Sequence, residues 1–162
     1  MKKLCLILAV ALMLTGCSAV GTFETLGKVY GEQEKPAMQE VSYELTDDAA
    51  AQTIQSDYGS LYFCDGYEIA VQTMESGDLD RTLRQLTGFG RDHLTVIETG
   101  LTPAARYECV WSAAGEGGDQ VGRLVILDDG NYHYCMSVMA EATTAASLRE
   151  QWQVLLDSFI LG

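Results

Sequence analysis

Residues 105–139, ARYECVWSAAGEGGDQVGRLVILDDGNYHYCMSVM, decide the fold. Over 105–113, Ala105, Tyr107, Cys109, Trp111 and Ala113 alternate with Arg106, Glu108, Val110 and Ser112. A period of two marks a half-buried strand, here with the odd positions inward. Residues 121–127 and 132–139 are two further strand-like runs, set off by turn signals. Gly115-Glu116-Gly117-Gly118 reads as a loose hairpin loop. Asp128-Asp129-Gly130 reads as a three-residue turn with Gly130 in the left-handed region. That turn pairs Ile126 with Tyr132 and Leu124 with Tyr134, and puts all four on one face. The stretch is an antiparallel meander.

Beyond it lies the clearest helix in the chain. Leu148, Trp152, Leu155 and Phe159 form one apolar stripe, with Thr144 or Ser147 as the cap and Ser147 and Glu150 spaced as a capping box. The stripe requires that this helix pack on the sheet. Before the meander, 41–45 reads as a short strand, and the Ala-rich 47–55 as a short helix capped by Thr46 or Asp47. Residues 60–64 and 67–74 are strands around an Asp65-Gly66 turn. Asp78 then caps a helix that carries Leu79, Leu83 and Leu86 and ends at Gly88, and 93–98 is another strand. The expected fold is α+β: an antiparallel sheet meander, a packed C-terminal helix and a shorter helix.

Ahead of this domain, Met1-Lys2-Lys3 is a short positive region, and 4–14 is nearly all apolar. Eleven residues are too few to span a bilayer, which takes about 20, but they suit a signal peptide, assigned to 1–16. Leu14-Thr15-Gly16-Cys17 resembles the lipobox of bacterial lipoproteins. The resemblance implies that the Cys17 thiol receives a diacylglycerol group as a thioether. It also implies that a peptidase cuts before Cys17, with Leu14, Thr15 and Gly16 as its recognition residues. Two acyl chains give stable anchoring where one is marginal. The expected location is the extracytoplasmic face of the cell membrane. Residues 17–40 then read as lipidated cysteine plus tether, spanning on the order of 25 Å if flexible. Phe23, Leu26, Val29 and Tyr30 offer the alternative of docking on the domain or on a neighbour. Residues 41–162 are one domain.

From 41 to 161 the chain resembles the PsbP-like family. The strand from Gly130-Asn131-Tyr132 to Met139 and the Asp157-Ser158-Phe159 ending carry the likeness. The resemblance implies a sandwich of helices on an antiparallel sheet, and a binding or assembly role without catalysis.

Asp and Glu number 23 against 10 Lys and Arg, for a net charge of −13. Such a surface repels nucleic-acid phosphates, so no nucleic-acid partner is expected. Attraction to anionic headgroups through a basic patch is excluded on the same ground. The charge serves solubility beside a membrane, or the capture of a cation or basic partner.

Signals for chemistry are sparse. The only two histidines are His93 and His133, no Gly-x-Ser-x-Gly elbow occurs, and Gly115–Gly122 lacks the Lys-Ser/Thr end of a phosphate loop. His133 and Cys135, two apart on a strand, point the same way and are candidate metal ligands with Cys64 or Asp129 nearby. No resident cofactor is expected beyond the diacylglycerol on Cys17. Asp47-Asp48 and Asp128-Asp129 are neighbours in sequence whose side chains diverge, so they make poor acid–base pairs. Glu116 and Asp119 belong to one hairpin loop and Asp128 and Asp129 to the next, at opposite ends of a strand. Cys64, Cys109 and Cys135 remain after the leader and anchor. All three read as small buried hydrophobes; the pleat sets Cys109 and Cys135 on opposite faces, and a Cys64–Cys135 disulfide is the alternative. Eight tyrosines give core, rim or an exposed binding patch. The functional expectation is a lipid-anchored binding or assembly module with an envelope protein as partner. The alternatives are an envelope enzyme with a metal-assisted site and a structural envelope component.

Overall fold

In the computed structural model, which describes residues 35–49, 54–100, 104–115 and 117–162, the meander forms one side of a seven-stranded antiparallel sheet. The strands are β1 (Val41–Ser42), β2 (Ile54–Ser56), β3 (Gly59–Phe63), β4 (Tyr67–Glu75), β5 (Val96–Thr99), β6 (Ala105–Gly115), β7 (Gly118–Asp128), β8 (Tyr132–Glu141) and β9 (Ile160–Leu161). The large sheet runs β2-β3-β4-β8-β7-β6-β5, while β1 and β9 make a separate two-stranded ribbon. The helices are α1 (Leu79–Thr87), α2 (Ala142–Ser147) and α3 (Arg149–Asp157). The α+β class is as expected.

Two compact units divide the chain, Met1–Pro36 and Ala37–Gly162. Residues 1–34, with Leu14, Thr15, Gly16 and Cys17, lie outside the described residues. The second unit contains both sheets and both core clusters of the described residues. It begins earlier than position 41. The Gln39 N–H donates to the Tyr134 hydroxyl (2.8 Å) and its Nε2 to Asp129 (2.8 Å), which ties the entering chain to the β7–β8 turn.

The sheet is covered on both faces. On one lie Ile69, Val125, Met136 and Val138 beneath Trp152, Leu155, Leu156 and Phe159, which is the expected stripe. On the other lie Cys109, Trp111, Leu124, Ile126 and Cys135 beneath Leu83 of α1. Two-sided cover explains why Leu124, Val125, Ile126 and Leu127 are all buried in succession. Asp78 caps α1 by accepting from the Asp80 N–H, and Gly88 ends it with φ 81°, both as anticipated.

Several local expectations are corrected. The β7–β8 register pairs Leu127 with Tyr134 and Ile126 with Cys135. The cause is the turn: Asp129 accepts from the Asn131 and Tyr132 N–H groups (2.8 and 2.7 Å), which gives a four-residue loop between Asp128 and His133. The odd shift moves every β8 side chain to the other face relative to β7. Leu124 and Ile126 therefore sit with Cys135, and Tyr134 sits with Leu127. A helix over 47–55 does not form at its described ends. Ala49 N–H closes a turn on Thr46, and Ile54–Ser56 pairs with β3 as an edge strand. The strand expected at 93–98 starts at Val96, after a short 3₁₀ turn over Arg91–His93. The Ser147–Glu150 capping box is absent. Ser147 Oγ donates to the Thr144 carbonyl instead, and Leu148 holds the N-cap position of α3.

Candidate functional site

Of the residues singled out for chemistry, Cys17 and Glu116 lie outside the described residues, and the others have a definite place. His133 is fully buried at the β8 end beneath α1. Its Nδ1 lies 2.8 Å from Thr82 Oγ1, and its Nε2 lies 3.4 Å from Asp128 Oδ2, outside hydrogen-bond geometry. If the Thr82 hydroxyl donates, the ring proton is on Nε2 and faces that carboxylate. Cys135 shares this face, but its sulfur lies near the His133 carbonyl. Burial alone pushes the Cys135 thiol far above its usual value. Cys64 belongs to the opposite cluster, and the carboxylate near His133 is Asp128 rather than Asp129. Among the described residues no three His, Cys, Asp or Glu side chains converge as a metal-ligand set.

Cys64, Cys109 and Cys135 are free thiols. The register correction puts Cys109 and Cys135 in one cluster, flanking β7 on the same face, while Cys64 packs on the other. Asp119 and Asp128 occupy opposite ends of β7, as the spacing predicts. Tyr62, Tyr67 and Tyr134 are core, and Tyr58 is the only exposed one among the described tyrosines. No tyrosine patch forms there.

What the fold builds instead is a groove between the α2–α3 arm and the rim of the sheet. β8 runs directly into α2, whose Ala142, Ala145 and Ala146 let the helix approach β7 closely. Such short side chains do not fill the space over β6 and β7. A trough of about 510 Å³ remains, with Val110 and Val121 in its floor and Trp152 in its wall. Val110 is 57% exposed there. A second hollow of about 420 Å³ shares Val110 and Arg123 and continues to Ile97 on the edge strand β5. Ile97 is 58% exposed. Volumes of this size are typical of ligand sites.

Two arginines line the trough, Arg123 from β7 and Arg149 from the first turn of α3. Arg123 donates to Gln153 Oε1 (2.6 Å), and Gln153 donates in turn to Asp157 (2.8 Å). Arg106, by contrast, is a structural residue. It pairs with Glu108 (2.8 Å) and donates to the Leu156 and Phe159 carbonyls (2.9 and 3.1 Å), closing the C-terminal end of α3.

None of the groove residues is marked by the sequence as a site residue; Trp152 reads there as part of the core stripe. One signal was available. Val110 is apolar at a position in the polar phase of its strand, and its cross-strand partner Arg123 is charged inside an apolar run. Two out-of-phase residues facing each other mark a covered but unfilled spot.

No family model matches the sequence, and no curated protein does either. Solved structures share the fold. A protein of Bacteroides thetaiotaomicron matches with a TM-score of 0.52 and 11% identity over 75% of this chain, which spans only 45% of that one. The Ran-binding protein Mog1p of Saccharomyces cerevisiae matches at 0.51 and 10%, covering 75% of this chain and 89% of Mog1p. LpqN, involved in cell envelope biogenesis of Mycobacterium tuberculosis, matches at 0.50 and 11%, covering 80% and 87%. Among the described residues no helix is long and apolar enough to cross a membrane. At these identities the likeness is one of fold.

Proposed function

We propose that this chain is a lipid-anchored, extracytoplasmic binding module that holds its ligand in the α2–α3 groove and carries out no catalysis. The observation behind this reading is the groove itself: an open, mostly aliphatic trough with two arginines, on a rigid sheet and helix arm. The Leu14-Thr15-Gly16-Cys17 sequence supports the anchor, and the PsbP-like resemblance supports a binding role. So does the occurrence of this fold in a Ran-binding protein and in an envelope-biogenesis protein.

The path of the chain adds a geometric argument. Gln39 is latched beside Asp129, at one end of β7. Val121 of the groove lies seven residues away along that strand, roughly 23 Å. Gln39, where the chain enters the domain, and Val121 of the groove therefore lie toward opposite ends of β7.

The test places a photo-crosslinking residue at Val110 of the full-length chain in its own membranes, with Tyr58 as the exposed control position. A discrete adduct at Val110 and none at Tyr58 is expected. No adduct at Val110, or the same adducts at both positions, contradicts a binding groove.

A further inference from the structure

We infer that the groove takes an anionic amphiphile, a single apolar chain ending in a carboxylate or a phosphate. This rests on the binding-module reading and names the ligand class of the same site. The first argument is charge. In a chain with 23 acidic and 10 basic residues, the described residues that line the trough include Arg123 and Arg149 and no acid. Neither arginine makes an ion pair among the described residues, which is also true of Arg81 and Arg91, whereas Arg84 and Arg106 each pair with carboxylates. Arg123 is oriented by the neutral amide of Gln153. Its guanidinium is held in place, and no carboxylate among the described residues occupies it. Exposed Arg149 has no hydrogen-bond partner among the described residues. Guanidinium groups suit carboxylate and phosphate because their parallel N–H donors bind two oxygens at once.

The second argument is the lining between the charges. Val110, Val121, Ala145 and Ala146 offer aliphatic surface without hydrogen-bonding side chains. Such a surface selects a ligand whose body is hydrocarbon. The trough is open, which suits an extended chain; past Val110 it meets a second hollow that reaches Ile97 and is lined also by His93, Thr95 and Glu108, so the hydrocarbon is confined to the first. Binding would cover exposed apolar surface and neutralise two uncompensated positive charges in one step.

The test uses the Ala37–Gly162 unit, which contains both sheets and both core clusters, in detergent-free buffer below the micelle-forming concentration of each probe. The probes are dodecanoate, dodecyl phosphate, dodecanol and dodecyltrimethylammonium, followed by titration calorimetry. The two anions are expected to bind at least tenfold tighter than the alcohol or the cation. Tighter binding of dodecanoate points to a fatty acid, and tighter binding of dodecyl phosphate to a phosphorylated lipid. Arg123→Ala and Arg149→Ala should each weaken the anions about tenfold. Ala146→Trp, at an exposed helix position, should fill the trough and abolish binding with the thermal midpoint kept. Equal binding of all four probes, or anion binding that survives Ala146→Trp, overturns the proposal. If none of the probes binds while Val110 still crosslinks to an envelope protein, the ligand class is wrong and the binding-module reading stands.

Discussion

Asp129→Asn is the sharpest probe of how the domain is held together. The Asp129 carboxylate accepts four hydrogen bonds: Asn131 N–H (2.8 Å) and Tyr132 N–H (2.7 Å) on Oδ1, Gln39 Nε2 (2.8 Å) and Tyr134 Oη (3.1 Å) on Oδ2. The first pair sets the β7–β8 turn, and the second latches the entering chain. An asparagine keeps the turn bonds through its carbonyl but turns an NH₂ toward the two latch donors. Net hydrogen bonds to charged groups contribute about 1.5–3 kcal/mol. The site is half-buried, and the Tyr134 hydroxyl can rotate to accept from the new amide, so the expected loss is about 1–2 kcal/mol. For a domain of this size that is a drop of about 4–8 °C in Tm.

The pH dependence has a definite sign. Burial alone would raise the Asp129 pKa, but the Tyr132 and Asn131 N–H groups, Gln39 and Tyr134 outweigh it and hold the carboxyl below the ordinary 3.8. A lowered folded pKa means that the stabilisation is complete above the unfolded value and is lost as pH falls through the folded one. The gap between wild type and Asp129→Asn should therefore be full at pH 7 and shrink below about pH 4. Tyr134→Phe should cost a similar amount, and the double variant less than the sum, because the two residues share the latch. Urea titrations of the Ala37–Gly162 unit at pH 7 and pH 3 read all of this. Equal midpoints at pH 7, or a gap that persists unchanged at pH 3, would refute the reasoning.

Arg106→Ala should cost about 2–3 kcal/mol in urea titrations, because it strips two carbonyls at the end of α3 of their donor and leaves Glu108 unpaired. A loss under 0.5 kcal/mol would contradict that role. Gly122→Ala should cost about 1–3 kcal/mol, since a Cβ there overlaps the indole of Trp111, which has little room to move at 8% exposure. An unchanged midpoint would mean the ring is looser than it stands here. Thiol labelling of the native protein should modify Cys64 first. Cys109, whose thiol burial pushes up to about 11, and Cys135 should react only on unfolding. Early labelling of Cys135 would show that its cluster opens.

The sequence was most legible where one physical pattern dominated. The period-two strand at Ala105–Gly115, the Asp65-Gly66 turn, and α1 between Asp78 and Gly88 all follow from local chemistry. So does the stripe from Trp152 to Phe159. The misreadings came from competition between patterns. The alanines near 50 suggest a helix, but Ile54 is taken into the sheet edge through its pairing with Leu61. At the β7–β8 turn, Gly130 does adopt φ 88°, yet the side chain of Asp129 rather than the glycine fixes the loop length. A register error of three residues there, an odd number, reversed the faces of Tyr134 and Cys135. The groove was hidden for a different reason. It joins Val110, Arg123 and the Ala142–Gln153 arm, segments brought together by topology, and it exists because alanines leave space rather than because any residue announces itself.

The proposed extracytoplasmic location of this domain rests on a thioether at Cys17. Mass spectrometry of the amino-terminal peptide from the membrane-extracted protein measures that bond directly. The expected peptide begins at Cys17 and carries the added mass of a diacylglycerol. A peptide that starts at Ser18 or beyond, or that contains Cys17 without acyl mass, would contradict the account.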